Sequence, residues 1–339
     1  MHDQQHQQHE QHEQHEQDEQ HEQDEQLIET LALQQVRGWG SRTVSKLREF
    51  FGTIDCILAA PVSAVAAVTG ECEMVVAARM RTLDRKNAHA DLRRVKRLGG
   101  SMLTVFDDDY PAALQGIDDP PVVLRIRGSR AAINQYPIIS VVGARRCSAI
   151  GIDLTTRFST ALCEAGFTIC SGGALGIDAA AHRAALRAGR PTLAVLGSGL
   201  EHLYPPENES LFHAIAESGG AILSEYPCDA GPRPGRFPER NRIIAGLSLG
   251  VVVFEAGLRS GAMITARLAA EDYGREVLAV PGRVDTGASA GCHRAIREGW
   301  ACLVDHPDQI VERIQEQAGL LELHRASAKA SSKSESTRR

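Results

Sequence analysis

Apolar residues between Leu27 and Leu98 recur at spacings of three and four, with no alternating stretch, which predicts a small all-helical domain over residues 27–98. From Met102 the pattern changes. Short apolar runs at Ile138–Val142, Thr168–Ser171, Thr192–Leu196, Ala221–Ser224, Gly250–Phe254 and Glu276–Val280 read as strands. Helical patterning falls between and after them, near 151–165, 176–188, 208–218, 239–247, 262–273 and 289–298. Strands that are apolar throughout are covered on both faces. The alternation therefore predicts an α/β domain over 102–315, with a mostly parallel sheet and helices on both sides. In such sheets a ligand binds beyond the carboxyl ends of the strands.

The two ends of the chain carry no such pattern. Residues 1–26 hold nine acidic residues, six histidines and no Lys or Arg, and residues 316–339 end in SAKASSKSESTRR. Neither can bury enough apolar surface to offset its ordering entropy, so both are expected to be disordered tails, one acidic and one basic. The histidines of the first could collect metal ions, but their spacing fixes no ligand geometry, and a solvated acidic tail is the better reading. The acidic tail also hides the charge of the rest. The chain carries −6 overall, whereas residues 27–339 have 37 basic against 34 acidic side chains. No apolar run reaches the ~18 residues of a membrane span, and no basic-then-apolar leader opens the chain. The eight cysteines form no CxxC pair. They read as reduced thiols of a cytoplasmic protein, which leaves no disulfide frame and no zinc site.

In the helical part, Val36-Arg-Gly-Trp-Gly40 leads into Ser41–Gly52, the sequence form of a helix-hairpin-helix. Such a turn can offer backbone N–H groups to a phosphate, with Arg37, Arg42, Lys46 and Arg48 nearby. It can equally be a tight turn between two packing helices. The basic stretch Arg79–Arg97 reads as helical, and as a solvated face.

The strand ends carry most of the candidate chemistry. Gly143-Ala-Arg-Arg146 follows the first strand, Ser171-Gly-Gly173 the second and Gly197-Ser-Gly199 the third. Phe237-Pro-Glu-Arg-Asn-Arg242 precedes the fifth strand and Arg259-Ser-Gly261 follows it. Glycines allow close approach of an anion, and each following helix aims its positive end at the same place. Arg145, Arg146, Arg240, Arg242 and Arg259 supply forks suited to phosphate oxygens, joined by Asn241 and Ser260. One such turn is ordinary architecture. Several converging turns point to a phosphate-rich ligand. Asp178 and His182 share a helix face and are either an acid–base pair or, the favoured reading, structural residues. Tyr204-Pro-Pro reads as a rigid turn and Cys147 as a passive thiol. There is no GxxxxGK[ST] loop, no HExxH and no GxGxxG, and no nucleophile stands with its base. The balance favours binding over catalysis, with no cofactor and no metal.

These motifs come in one order. Gly143-Ala-Arg145, Ser171–Asp178 with Ala181-His182, Tyr204-Pro and Leu223-Ser-Glu225 are followed by Phe237–Gly246 and Glu255-Ala with Ser260–Thr265. Val280-Pro-Gly282 and Gly291-Cys-His293 close the series, and Asp109-Tyr-Pro, Leu114, Ile117 and Gly128 lead into it. The set resembles the DNA-processing protein A (DprA, or Smf) family. The resemblance implies a Rossmann-like domain preceded by a SAM-like or helix-hairpin-helix domain. It also implies a cytoplasmic homodimer, not an enzyme, that binds single-stranded DNA, protects it and loads RecA recombinase during natural transformation. Arg145, Arg240 and Arg242 match the family's positive pocket, with the glycine loops as its floor. Many members carry a C-terminal winged helix, which is not expected here. Aromatic residues are only 4%, so contact is expected mainly through phosphates, with Phe237 and Tyr226 the nearest stacking candidates. A rival reading is a nucleotide-binding LOG-type phosphoribohydrolase. The loop Ala256–Thr265 has no Asp or Glu where those enzymes place theirs.

Overall fold

A computed structural model describes residues 23–317. Most of both tails lies outside the described residues. Residues 23–26, assigned above to the acidic tail, open helix α1 (23–34), and residues 316–317 close helix α14 (307–317). The chain forms two compact units, one of described residues up to Tyr110 with Asp118–Arg125, the other of Pro111–Ile117 and the residues from Ile126 onward.

The first unit is mainly helical. After α1 come α2 (Ser41–Phe51), α3 (Ile54–Ala59), α4 (Val62–Thr69), α5 (Glu73–Met80) and α6 (Arg85–Arg97). Leu31, Leu33, Val44, Leu47, Ile57, Val76 and Val95 form its buried interior. Two short strands, β1 (Ser101–Thr104) and β2 (Val123–Gly128), follow α6 in the chain. On β2, Arg125 is fully buried, and its guanidinium donates to Asp91 of α6 at 2.8 and 2.5 Å. Burying either charge alone would cost several kcal/mol, so the pair ties this strand to that helix. The hairpin turn is braced from inside. Gly38 has φ +91 and sits under the Arg79 guanidinium, which donates to the Arg37 carbonyl and pairs with Glu71 at 2.9 Å. The Trp39 indole donates to the same Glu71 at 3.0 Å. Along α6, Arg85 pairs with Glu29 and Lys96 with Asp24, so α1 acids partly neutralise the basic face.

The second unit contains seven parallel strands in the order β6-β5-β4-β3-β7-β8-β9. They are β3 (Ile138–Gly143), β4 (Thr168–Ser171), β5 (Thr192–Val195), β6 (Ala221–Ser224), β7 (Gly250–Phe254), β8 (Glu276–Ala279) and β9 (Cys302–Leu303). Nearly every residue of β3 to β8 is buried, as continuous apolar runs require. The connecting helices are α8 (Ala149–Glu164), α9 (Ile177–Arg187), α10 (Glu209–Glu217), α11 (Arg236–Leu247), α12 (Gly261–Arg267) and α13 (Ala290–Arg297), and a one-turn α7 (Ala112–Gln115) precedes them. The helix expected over 262–273 is α-helical only to Arg267 and then widens into a π-turn over Leu268–Asp272. One core cluster fills one side of the sheet, where Phe158 of α8 meets Phe254 edge-on at 5.5 Å. The chain winds outward from β3 through β4, β5 and β6, then jumps back to β7 on the other side of β3. This makes β3/β7 the topological switch point, where such sheets open a crevice. Among the described residues no helix is long and apolar enough to cross a membrane.

Candidate functional site

A hollow of about 610 Å³ opens at the switch point. Its walls are Gly143–Arg145 after β3, Ala174 after β4, the start of α11 with Phe237, Arg240 and Asn241, and Ser260–Thr265 around the start of α12. Tyr204 and Ile264 stand at the edge, 39% and 41% exposed. The Arg145 guanidinium lies 5.5 Å over the Phe237 ring, and Tyr204 meets that ring at a 5.5 Å centroid distance, tilted by 47°. An exposed cation, two aromatic faces and a partly apolar hollow thus share one rim.

The arginines named from sequence separate into different roles. Arg145 is exposed at the rim. Arg240 forms the floor: its guanidinium donates to the Gly172 carbonyl at 3.0 Å and to the Val195 carbonyl, and its Nε to Asn241 at 3.3 Å. Burial lowers its pKa to about 10, with Asp178 acting against the shift, so at neutral pH it stays charged and lends the floor a positive field. Arg242, by contrast, makes a two-pronged ion pair with Glu225 at 2.9 and 2.6 Å and does not line the hollow. Arg146 and Arg259 are exposed and lie outside its lining. Asn241 donates to the Gly261 carbonyl at 3.3 Å, and Ser260 caps α12 by accepting from the Met263 amide.

The glycines serve packing more than ligand approach. A Cβ on Gly143 would meet the Phe254 carbonyl at 2.2 Å, and one on Gly199 the Pro227 carbonyl at 2.1 Å. On Gly197 it would meet the Phe237 ring at 2.8 Å, and on Gly172 the Arg240 guanidinium at 2.7 Å. Gly173, at φ +66, abuts Phe212. Of these strand-end glycines, Gly261 alone faces open space. Ser171 is buried and donates to the Val141 carbonyl at 2.6 Å.

In the loops that lead into α8 and α9, where an anion was expected, the protein's own carboxylates already hold backbone amides. Asp178, in the first turn of α9, accepts the Gly172 and Ala174 amides at 3.2 and 3.3 Å. Burial pushes its carboxyl up, while Arg240 and these hydrogen bonds pull it down. At α8, Glu255 accepts the Ser148 amide at 2.7 Å and the Ser148 hydroxyl. His182 does not partner Asp178. It is fully buried, and its Nδ1 meets the Thr192 hydroxyl at 2.8 Å; that hydroxyl donates to the Ile169 carbonyl, so Nδ1 carries the proton. Burial lowers the His182 pKa to about 3, leaving a neutral structural imidazole. Tyr226, a stacking candidate, has its ring under the Arg236 guanidinium at 4.8 Å and its hydroxyl on the Arg236 carbonyl. Tyr204, read as a turn residue, is the aromatic that joins Phe237 instead.

Comparison with known proteins places this geometry. Residues 101–315 match the family of DNA recombination-mediator protein A. The chain belongs to that family. It is 40% identical over 272 residues to Protein Smf of Synechocystis, covering 79% of this chain and 68% of that one. Its fold superimposes on the X-ray structure of DNA processing protein A from Streptococcus pneumoniae with a TM-score of 0.73 and 35% identity, covering 84% of this chain and 95% of the other. DNA processing protein A from Helicobacter pylori, a structure concerned with that protein's single-stranded DNA binding mode, matches with a TM-score of 0.58 and 29% identity. It aligns with 64% of this chain and 96% of its own. The DprA resemblance drawn from the ordered motifs is therefore established, as is the α/β class with a helical N-terminal region.

Proposed function

We propose that this family member binds single-stranded DNA at the β3/β7 crevice, as a cytoplasmic homodimer. In that role it protects incoming DNA and hands it to RecA recombinase during natural transformation or recombination. One observation carries the DNA reading: the exposed Arg145 guanidinium stands over the Phe237 ring at the mouth of the hollow. That pairing offers a phosphate contact and a base-stacking face side by side, the combination single-strand sites use without reading sequence. The loop amides before α8 and α9 add support, because Glu255 and Asp178 already hold them and leave a compact nucleotide phosphate less to bind on that side. RecA loading and the dimer rest on the family alone.

The test is fluorescence anisotropy of labelled oligo-dT at two salt concentrations, for wild type and Arg145→Ala, with duplex of equal length as competitor. Wild type should prefer the single strand and weaken steeply with salt. Arg145→Ala should weaken binding about 10- to 100-fold, the size of one charge-assisted contact, and flatten the log–log salt slope by about 0.7. Binding indifferent to Arg145, or adenine released from AMP, would move the assignment to a small nucleotide and the hydrolase class.

A further inference from the structure

Glu255 lies outside the lining of the hollow, yet its backbone is the strained point of the site. It closes β7 at φ +37, the one non-glycine residue with positive φ among the described residues. A conformation of that kind persists only where its surroundings hold it. The holding contacts are identifiable. One carboxylate oxygen accepts the Ser148 amide at 2.7 Å and the other accepts the Ser148 hydroxyl. That hydroxyl in turn accepts the Gly151 amide at 3.0 Å, so one chain of hydrogen bonds joins the end of β7 to the first turn of α8. Gly151 leaves room for it, since a Cβ there would sit 2.5 to 2.9 Å from the carboxylate atoms.

The other end of the same loop is also fixed. The Ile177 amide donates to the Ala144 carbonyl at 3.2 Å. Arg145 therefore stands on a short loop pinned at Ala144 and at Ser148. Electrostatics alone gives no reason for a carboxylate here, because it puts negative charge beside a site for phosphates. Ser148 by itself caps Gly151. What the carboxylate adds is a link between the loop and the strand end 107 residues away.

We propose that Glu255 is a positioning residue, whose carboxylate seats Ser148 and so sets the loop from which Arg145 reaches the Phe237 ring and the DNA. This rests on the reading of Arg145 as a DNA contact. The two explanations of Glu255 predict opposite signs. Glu255→Gln removes a negative charge near the arginine, so a merely electrostatic role makes oligo-dT bind more tightly, whereas a positioning role makes it bind more weakly. We expect about tenfold weaker binding, the size of one charge-assisted hydrogen bond.

Gly151→Ala changes no charge and favours the helix, but its methyl displaces the carboxylate, and it should show the same loss. Ser148→Thr keeps both the amide and the hydroxyl and should bind as wild type, while Ser148→Ala should not. Melting temperatures of all variants should stay within a few degrees of wild type, which separates placement from unfolding. Wild-type or tighter binding by both Glu255→Gln and Gly151→Ala, beside a weakened Arg145→Ala, overturns this inference and leaves the DNA reading standing. Undiminished binding by Arg145→Ala removes the DNA reading itself, and the inference with it.

Discussion

Arg242 carries the sharpest prediction, because sequence and structure assign it different work. Its fork meets Glu225 at 2.9 and 2.6 Å, and the two side chains are 10% and 13% exposed. Arg242→Ala leaves the Glu225 carboxylate nearly buried without this partner. Breaking a buried pair from one side costs about 3–5 kcal/mol, and slight solvent access puts this pair near the lower figure. For a unit of about 200 residues each kcal/mol moves the melting temperature by roughly 2–4 °C, so the variant should melt roughly 6–12 °C lower. The double variant Arg242→Leu with Glu225→Leu removes both charges and should recover at least half of that loss. Circular dichroism melts supply the stability measurement. Oligo-dT anisotropy at a temperature where the variant is folded supplies the binding measurement, and affinity should stay close to wild type. If Arg242→Ala melts like wild type and loses affinity together with part of its salt slope, the placement of this arginine on Glu225 rather than on the ligand is refuted.

Two further outcomes follow from the site. Phe237→Ala removes a stacking face without removing charge, so oligo-dT affinity should fall by about 1–3 kcal/mol while the salt slope stays the same; unchanged affinity in the anisotropy titration would exclude Phe237 from the contact. His182 is held neutral, with a folded pKa of about 3 against an ordinary 6.5. Between those values the unfolded chain takes up a proton that the fold refuses, so stability should fall as pH drops below 6.5, by up to about 1.4 kcal/mol per unit. Urea unfolding at pH 7 and pH 5 should show a smaller difference in His182→Gln than in wild type.

The sheet was legible where runs were continuously apolar. β4, β6 and β7 begin and end where the pattern places them, and β3, β5 and β8 differ by a single residue. β1, β2 and β9 were not anticipated. β9 is two residues long and β1 four, too short for a period to show. Around the site, residue type identified the arginines but not the direction each one faces. Part of that information was in the spacing. Positions two apart on a helix point about 200° from each other, so Arg240 and Arg242 on α11 could not both face one hollow. The carboxylates were a different matter. Glu225, Glu255 and Asp178 meet their partners 17, 107 and 6 residues away, and nothing in the order of residues measures the longer distances.

The carboxylates at the starts of α8 and α9 have a consequence for competition inside a cell. A Rossmann-like sheet with open helix N-termini would be a standing trap for ATP and other free nucleotides, which are abundant wherever DNA is handled. By holding the loop amides ahead of α8 and α9, Glu255 and Asp178 leave a guest on that side with one exposed cation and an aromatic rim. A mononucleotide can make little of that, having a single phosphate group to offer and a full ordering penalty to bear. A strand repeats the weak contact along its length. If the crevice binds DNA as proposed, the same two side chains that tie the loops together would thus favour a polymer over its building blocks.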